Sequence, residues 1–250
     1  MTDTTEQSIT ASDAQIDELA IHVARPPGAS ATGVLLYPTI AGLDEHMRAQ
    51  ATTLAEESLT AVVWDPYDGN PPAGGRPAAL ELSKSFQDED IITSVTKVLD
   101  YMEDDLGLTS FSAWGWCFGG RVALLHAGLD SRIGAVTSYN PTIWGDQVVE
   151  FGPMRFSGAD FPGETLDVIA GASAIRGPVQ ICHPENDFTP QDVYDALLTQ
   201  LRERSAPTAY EYYPGIGHGF GQGETDADAA ARAQAWPRTL AVLAEPTPRA

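Results

Sequence analysis

Ala113-Trp114-Gly115-Trp116-Cys117-Phe118-Gly119-Gly120-Arg121-Val122-Ala123-Leu124 is the stretch on which the reading of this chain turns. It predicts a short apolar strand over 111–114, a turn crowded with glycine, and a helix that begins near Gly119 and runs toward Gly128. In the pattern Gly-x-Cys-x-Gly-Gly the glycines remove side chains that would collide where strand and helix nearly touch. The central residue is then held in a strained turn with its side chain pointing out of the sheet. This is a nucleophile elbow with sulfur in place of the usual hydroxyl. The partial positive charge of the following helix N-terminus favours thiolate at Cys117. Taken alone, the same residue could be a small buried hydrophobe in an ordinary strand-to-helix turn.

Working outward, strands alternate with helices. An extended edge strand is read over 16–23 and a buried strand over 33–37. The spacing of Met47, Ala51, Leu54 and Ala55 predicts a helix over 43–57, followed by a buried strand over 61–64. Residues 65–77 read as a proline- and glycine-rich loop, and 80–106 carry helical apolar spacing. Beyond the elbow come a strand over 133–139, a long loop over 140–164 and a helix over 166–174. A strand over 178–182, a helix over 190–204, a strand over 209–213 and a C-terminal helix over 227–243 complete the chain. The alternation predicts an α/β fold with a mainly parallel central sheet, helices on both faces, and functional groups at the C-terminal edges of the strands.

Composition agrees with one domain. The 250 residues, 43% hydrophobic, suffice for a substantial core, and the expected organisation is a flexible leader over 1–15, a domain over 16–245 and a short tail over 246–250. Cys117 and Cys182 show no paired spacing, so neither a disulfide framework nor a zinc ribbon is expected. The N-terminal residues lack an apolar signal region, and no apolar run reaches a membrane span. A cytoplasmic protein without membrane association is expected. A net charge of −21 argues against nucleic acid as a partner. The sequence carries no signal of oligomeric state.

Two further loops carry chemistry. The strand ending at Cys182 opens into His183-Pro184-Glu185-Asn186-Asp187, and the strand ending at Tyr213 opens into Gly215-Ile216-Gly217-His218-Gly219-Phe220. Asp187 alone could cap a helix, and His218 alone could be a surface histidine. The order of nucleophile Cys117, acid Asp187 and base His218 after successive strands is the one that the α/β-hydrolase arrangement requires. A free thiol, with a pKa of about 8.5, needs a neighbouring imidazole to ionise at neutral pH. The oxyanion that forms on attack at an ester or lactone carbonyl needs backbone donors. Phe118 N–H is one and Ile40 N–H, in the loop after the strand over 33–37, the other, since Pro38 has none to give. His183, Cys182, Glu185 and Asp187 are crowded into one strand end without zinc-site spacing, so no metal is expected. Alternation along the elbow strand places Trp116 near the site, and Tyr139, Trp144, Phe151, Met154 and Phe220 are candidates to line an apolar acyl pocket, with core packing as the other reading.

Gly-Trp-Cys-Phe-Gly-Gly-Arg, Glu-Asn-Asp-Phe-Thr-Pro and Gly-His-Gly-Phe together resemble the dienelactone hydrolase (carboxymethylenebutenolidase) family of α/β-hydrolases. The resemblance runs from Val34 to the C-terminal helix. It implies an α/β-hydrolase fold and Cys-His-Asp hydrolysis of small lactones or esters through a thioester, with no cofactor or metal. In that family a glutamate in the loop after the first core strand pairs with the resting thiol, and arginines hold the substrate carboxylate. Here Thr39 stands at the glutamate position and Gln222 where an arginine is expected, and Arg76 is a candidate substitute clamp. A catalytically silent binding member of the fold and a thiol-based redox protein are the competing readings. A redox role lacks a resolving cysteine near Cys117.

Overall fold

The computed structural model describes residues 8–144, 147–151, 154–222 and 225–248. The elements in chain order are β1 (Thr10–Ile16), β2 (Leu19–Arg25), β3 (Thr32–Tyr37), α1 (Glu45–Glu56), β4 (Thr60–Trp64), α2 (Gly75–Ser83) and α3 (Asp88–Asp104). Then follow β5 (Ser110–Trp116), α4 (Phe118–Leu129), β6 (Ile133–Tyr139), β7 (Val149–Phe151), β8 (Met154–Phe156), α5 (Val168–Ala172), β9 (Val179–Asn186), α6 (Gln191–Arg202), β10 (Thr208–Gly217) and α7 (Asp226–Ala244).

Among the described residues, eight strands form one sheet in the order β1-β2-β4-β3-β5-β6-β9-β10. From β4 to β10 neighbours are parallel, whereas β1 and β2 join antiparallel at one edge. All five residues of β4 and all seven of β6 are buried, because helices cover both faces of a parallel sheet. On one face α1 and α7 pack Met47, Leu54, Ala235 and Leu243 against Val34, Leu36 and Val63. On the other, α3, α4, α5 and α6 bring Val95, Leu99, Val122, Val168 and Leu197 onto Leu35, Val62 and Val136. Asp44 caps α1 by accepting from Met47 N–H at 2.9 Å, supplying one of the acceptors that a helix start lacks.

Several expected boundaries shift. The single edge strand read over 16–23 is a hairpin that turns at Asp17, φ +52°, and takes residues 10–15 of the expected leader into β1. That strand was illegible because its sequence is polar and largely exposed; it is held by its ladder to β2 and by Asp13, which pairs with His22 at 2.7 Å and Arg48 at 2.9 Å. The helical stretch over 80–106 is two helices, and α2 reaches back to Gly75 inside the expected loop. Pro77 fits there because a first-turn residue needs no N–H acceptor. The loop over 140–164 contains the β7–β8 hairpin, and the helix over 166–174 shortens to α5.

Candidate active site

The elbow is built by backbone approach. A Cβ on Gly115 would lie 2.1 Å from Gly119 O, and one on Gly119 would lie 2.1 Å from Tyr37 O, so both positions exclude any side chain. Between them Cys117 sits at the end of β5 with φ +55° and ψ −122°, a conformation costing about 1–3 kcal/mol that the surrounding backbone must hold. That hold is visible: Cys117 N–H donates to Tyr139 O at 3.0 Å, and Thr142 N–H donates to Cys117 O at 3.0 Å.

The loops after β9 and β10 bring Asp187 and His218 to the thiol. Asp187 Oδ1 accepts from His218 Nδ1 and from Phe188 N–H, the latter at 2.7 Å, while Oδ2 accepts from the Tyr194 hydroxyl. The carboxylate is therefore fixed at both oxygens and fully buried. With Nδ1–H pointing at Asp187, the other imidazole nitrogen faces the thiol, the tautomer a general base requires. Asn140 Nδ2 donates to His218 O at 2.8 Å, anchoring the histidine loop to the end of β6. Thr189 Oγ1 donates to Pro141 O at 2.5 Å and accepts from Ile143 N–H at 2.8 Å, which locks the Asp187 loop to the Thr142 loop.

Electrostatics follow from this packing. Burial alone would push the Cys117 thiol up, but the facing His218 charge, hydrogen bonds from His218 and Thr142, and the Phe118 N–H together bring it below the ordinary thiol range. Burial likewise opposes charge on His218, yet Cys117 and Asp187 outweigh it and raise the imidazole to about 10. The pair thus favours thiolate and imidazolium near neutral pH. Cys182 is the contrast: buried in the other helix layer and facing Glu211, its thiol is pushed well above the ordinary range.

Cys117 and His218 open onto a cavity of about 650 Å3 that Thr39, Ile40, Arg76, Phe118, Trp144 and Gln222 also line. Phe118 is the first residue of α4, so its N–H has no intrahelical acceptor. Among the described residues the Ile40 N–H enters no backbone hydrogen bond, and Tyr67 OH donates to Ile40 O at 2.6 Å, holding the next peptide of the same loop. Thr39 Oγ1 accepts from Ala41 N–H at 3.1 Å and so shapes the loop rather than the sulfur. The hydroxyl at the sulfur belongs to Thr142, whose Oγ1 lies 3.2 Å from Cys117 Sγ. Arg76 Nη2 donates to Gln222 Oε1 at 3.0 Å, so the two candidate substrate contacts meet each other at the cavity.

Trp116, Tyr139 and Phe220 are corrections. All three are fully buried outside the cavity, in the layer under α1 and α7. A period of two keeps Trp116 on the same face as Trp114, their rings 4.3 Å apart, and Tyr139 pairs with Trp116 across β5 and β6 on that face. Phe220 packs on Tyr139 at 4.9 Å. The side chains of Phe151 and Met154 lie outside the described residues. Thr142, Asn140, Tyr194, Phe156, Phe161, Glu164 and Phe188 were missed; only Phe188, next to Asp187, had a sequence signal. Glu164 lines the cavity while bonding Arg121 at 3.0 Å, and Asp88 chelates the same guanidinium at 2.7 and 2.8 Å.

The polar side chains at the end of β9 have partners of other kinds. His183 stacks on Tyr194 at 3.6 Å and bonds Tyr210, while Glu185 accepts from Gly215 N–H. Among the described residues no group of three or more His, Cys, Asp and Glu side chains could hold a metal ion. No helix among them is long and apolar enough to cross a membrane.

Sheet order, elbow and the position of the three polar residues at strand ends define an α/β-hydrolase. The chain belongs to the Dienelactone hydrolase family, which matches residues 19–246, and is thereby a hydrolase acting on ester bonds of a small-molecule ester or lactone. It is 24% identical over 218 residues to the Salmonella typhi protein named "Putative carboxymethylenebutenolidase", covering 84% of this chain and 76% of that one. Among solved structures, "Putative Dienelactone Hydrolase" from Klebsiella pneumoniae superposes with a TM-score of 0.77 at 20% identity, covering 95% of this chain and 99% of that one. A dienelactone hydrolase-like promiscuous phosphotriesterase from metagenomic libraries gives 0.73 at 17% identity, covering 94% and 98%. At these identities the superpositions carry the fold alone.

Proposed function

We propose that the chain hydrolyses small neutral esters or lactones through a thioester on Cys117, with His218 as general base and acid and Asp187 as its orienting carboxylate. The observation that carries this reading is the continuous arrangement from Asp187 through His218 to a sulfur held at a positive φ in the cavity wall. The thiolate attacks the carbonyl carbon, and negative charge moves to the carbonyl oxygen against the Phe118 and Ile40 N–H groups. The C–O bond breaks, and His218 gives its proton to the departing oxygen. Water then attacks the thioester with His218 taking its proton, the C–S bond breaks, and the carboxylic acid leaves as the thiolate–imidazolium pair is restored. Nucleophile, base and oxyanion donors all come from the chain, so no cofactor or metal enters this sequence of steps.

Thr142 supports the reading in a second way. Its hydroxyl lies 3.2 Å from the sulfur, within reach to donate to the thiolate. The resting nucleophile is then already ionised and needs no substrate to trigger it. The contrast between Cys117 and Cys182 speaks against a redox pair, since the two thiols lie in opposite layers of the sheet. The test is a panel of lactones, enol lactones and simple aryl esters assayed with wild type and Cys117→Ala. Hydrolysis by wild type that vanishes in the variant is expected; equal rates, or none with any ester, would overturn the proposal.

A further inference from the structure

The geometry points to the aromatic flank of the cavity, Trp144, Phe156, Phe161 and Phe188, as a subsite for an aryl ring on the departing alcohol, making neutral arylalkyl esters the substrate class. This rests on the thioester reading above and adds to it which half of the substrate is recognised and by what.

The first ground is the wall itself. Trp144 and Phe161 stack at 4.7 Å and 9°, Phe156 packs 5.7 Å from Trp144 and 6.0 Å from Phe188, and all four rings line the cavity. Each ring is held by its neighbours, so the flank is formed before a ligand arrives and ordering it costs little on binding. Aromatic faces and edges reward a flat ring over an aliphatic group of the same size, because the quadrupoles of offset or edge-on rings attract.

The second ground is direction. The Phe188 ring lies 3.8 Å from the imidazole of His218. In the tetrahedral intermediate the oxyanion points to the Phe118 and Ile40 amides, while the ester oxygen must face His218 to receive its proton. Whatever that oxygen carries therefore leaves along Phe188 into the flank, and the acyl chain takes the remaining direction.

The third ground is charge. Arg121, behind the flank, has its guanidinium chelated by Asp88 and bonded to Glu164, so it offers no anchor for a substrate carboxylate. Glu164, which lines the same cavity, supplies no positive charge either. The ring that fits is neutral. The cavity, at about 650 Å3, falls within the range of roughly 300–1,000 Å3 that accommodates drug-sized ligands, more than a single small lactone ring needs.

Two measurements test the subsite. In the first, kcat/KM is compared for benzyl acetate and cyclohexylmethyl acetate, whose alcohols match in size, and for methyl phenylacetate and methyl cyclohexylacetate, which move the ring to the acyl side. The aryl preference expected is about three- to tenfold on the alcohol side, and little on the acyl side. Phe161→Leu and, separately, Phe156→Leu should shrink it. In the second, benzyl alcohol and cyclohexylmethanol are compared as protectants of Cys117 against iodoacetamide, a readout that needs no turnover. Better protection by benzyl alcohol, lost in the Phe161→Leu variant, supports the subsite even if no ester is cleaved, in which case the hydrolytic reading fails alone. Equal protection by the two alcohols, or an aryl preference confined to the acyl side, overturns the subsite and leaves the hydrolytic reading standing.

Discussion

Thr142 Oγ1 lies 3.2 Å from Cys117 Sγ, so the sulfur of the elbow meets a hydroxyl from the loop after β6 rather than a side chain of the loop after β3. A hydroxyl cannot take the thiol proton as a carboxylate would; it can accept a hydrogen bond from the thiol or donate one to the thiolate, and only the donation stabilises the ionised form.

The first prediction follows from that contact. Thr142→Val removes the donor at nearly constant shape, so the pH midpoint of Cys117 alkylation by iodoacetamide should rise and kcat/KM for an ester fall roughly tenfold, the scale of one lost hydrogen bond to a charged group. Thr142→Ser should restore both. An unchanged midpoint in the valine variant would show that the thiolate is held by His218 alone.

The pH dependence of the thiol gives the second. Cys117 is shifted down and His218 up to about 10. The thiolate is therefore lost only as pH falls through a value below the ordinary thiol range, and the imidazolium only as pH rises through about 10. Alkylation of Cys117 should stay fast at neutral pH, while Cys182 stays unlabelled in the folded protein. Mass-resolved labelling across pH checks it; equal labelling of both thiols contradicts the assignment.

For the triad, Cys117→Ala should abolish turnover with the fold intact, because the elbow depends on Gly115 and Gly119 rather than on sulfur. His218→Ala and Asp187→Asn should each cost orders of magnitude, the histidine change at least as much, since Asp187 acts through it. Tyr194→Phe, which frees one carboxylate oxygen, should cost less than either. Circular dichroism alongside kcat separates lost chemistry from lost fold.

Substrate charge yields a fourth. A carboxylate-bearing lactone would have to draw Arg76 away from Gln222, with no second arginine at the Gln222 position to assist it. kcat/KM for a neutral ester should equal or exceed that for a carboxylated dienelactone. Arg76→Ala should lower the carboxylated value roughly tenfold, the size of a lost charge-assisted bond, and change the neutral value far less. A strong carboxylate preference indifferent to Arg76→Ala would place the clamp elsewhere.

The fifth concerns stability. Burial pushes Glu164 up to about 7 against the pull of Arg121, whose charge Asp88 already neutralises. Between the ordinary carboxylate range and about 7 the unfolded chain ionises this group while the folded chain keeps it protonated. Its contribution therefore weakens the fold as pH rises through that window. Glu164→Gln should flatten the fall in urea midpoint between pH 5 and about 7; a parallel curve would show that Arg121 keeps Glu164 ionised.

The sequence by itself determined the fold class, the elbow and the order of Cys117, Asp187 and His218, because each is written in contiguous residues. Glycine spacing dictates where a Cβ is impossible, and continuous apolar runs dictate which strands are covered on both faces. It also offered the amides of Ile40 and Phe118 as oxyanion donors, since these follow directly from strand ends. Only tertiary structure decided what surrounds the sulfur. Thr142, Phe156, Phe161 and Glu164 come from a stretch without period, and their placement depends on contacts such as Thr189 to Pro141 and Arg121 to Asp88, which join residues 48 and 33 positions apart. The same cause misplaced Trp116: a short strand shows that residues two apart share a face, but not which face the helices α1 and α7 will cover.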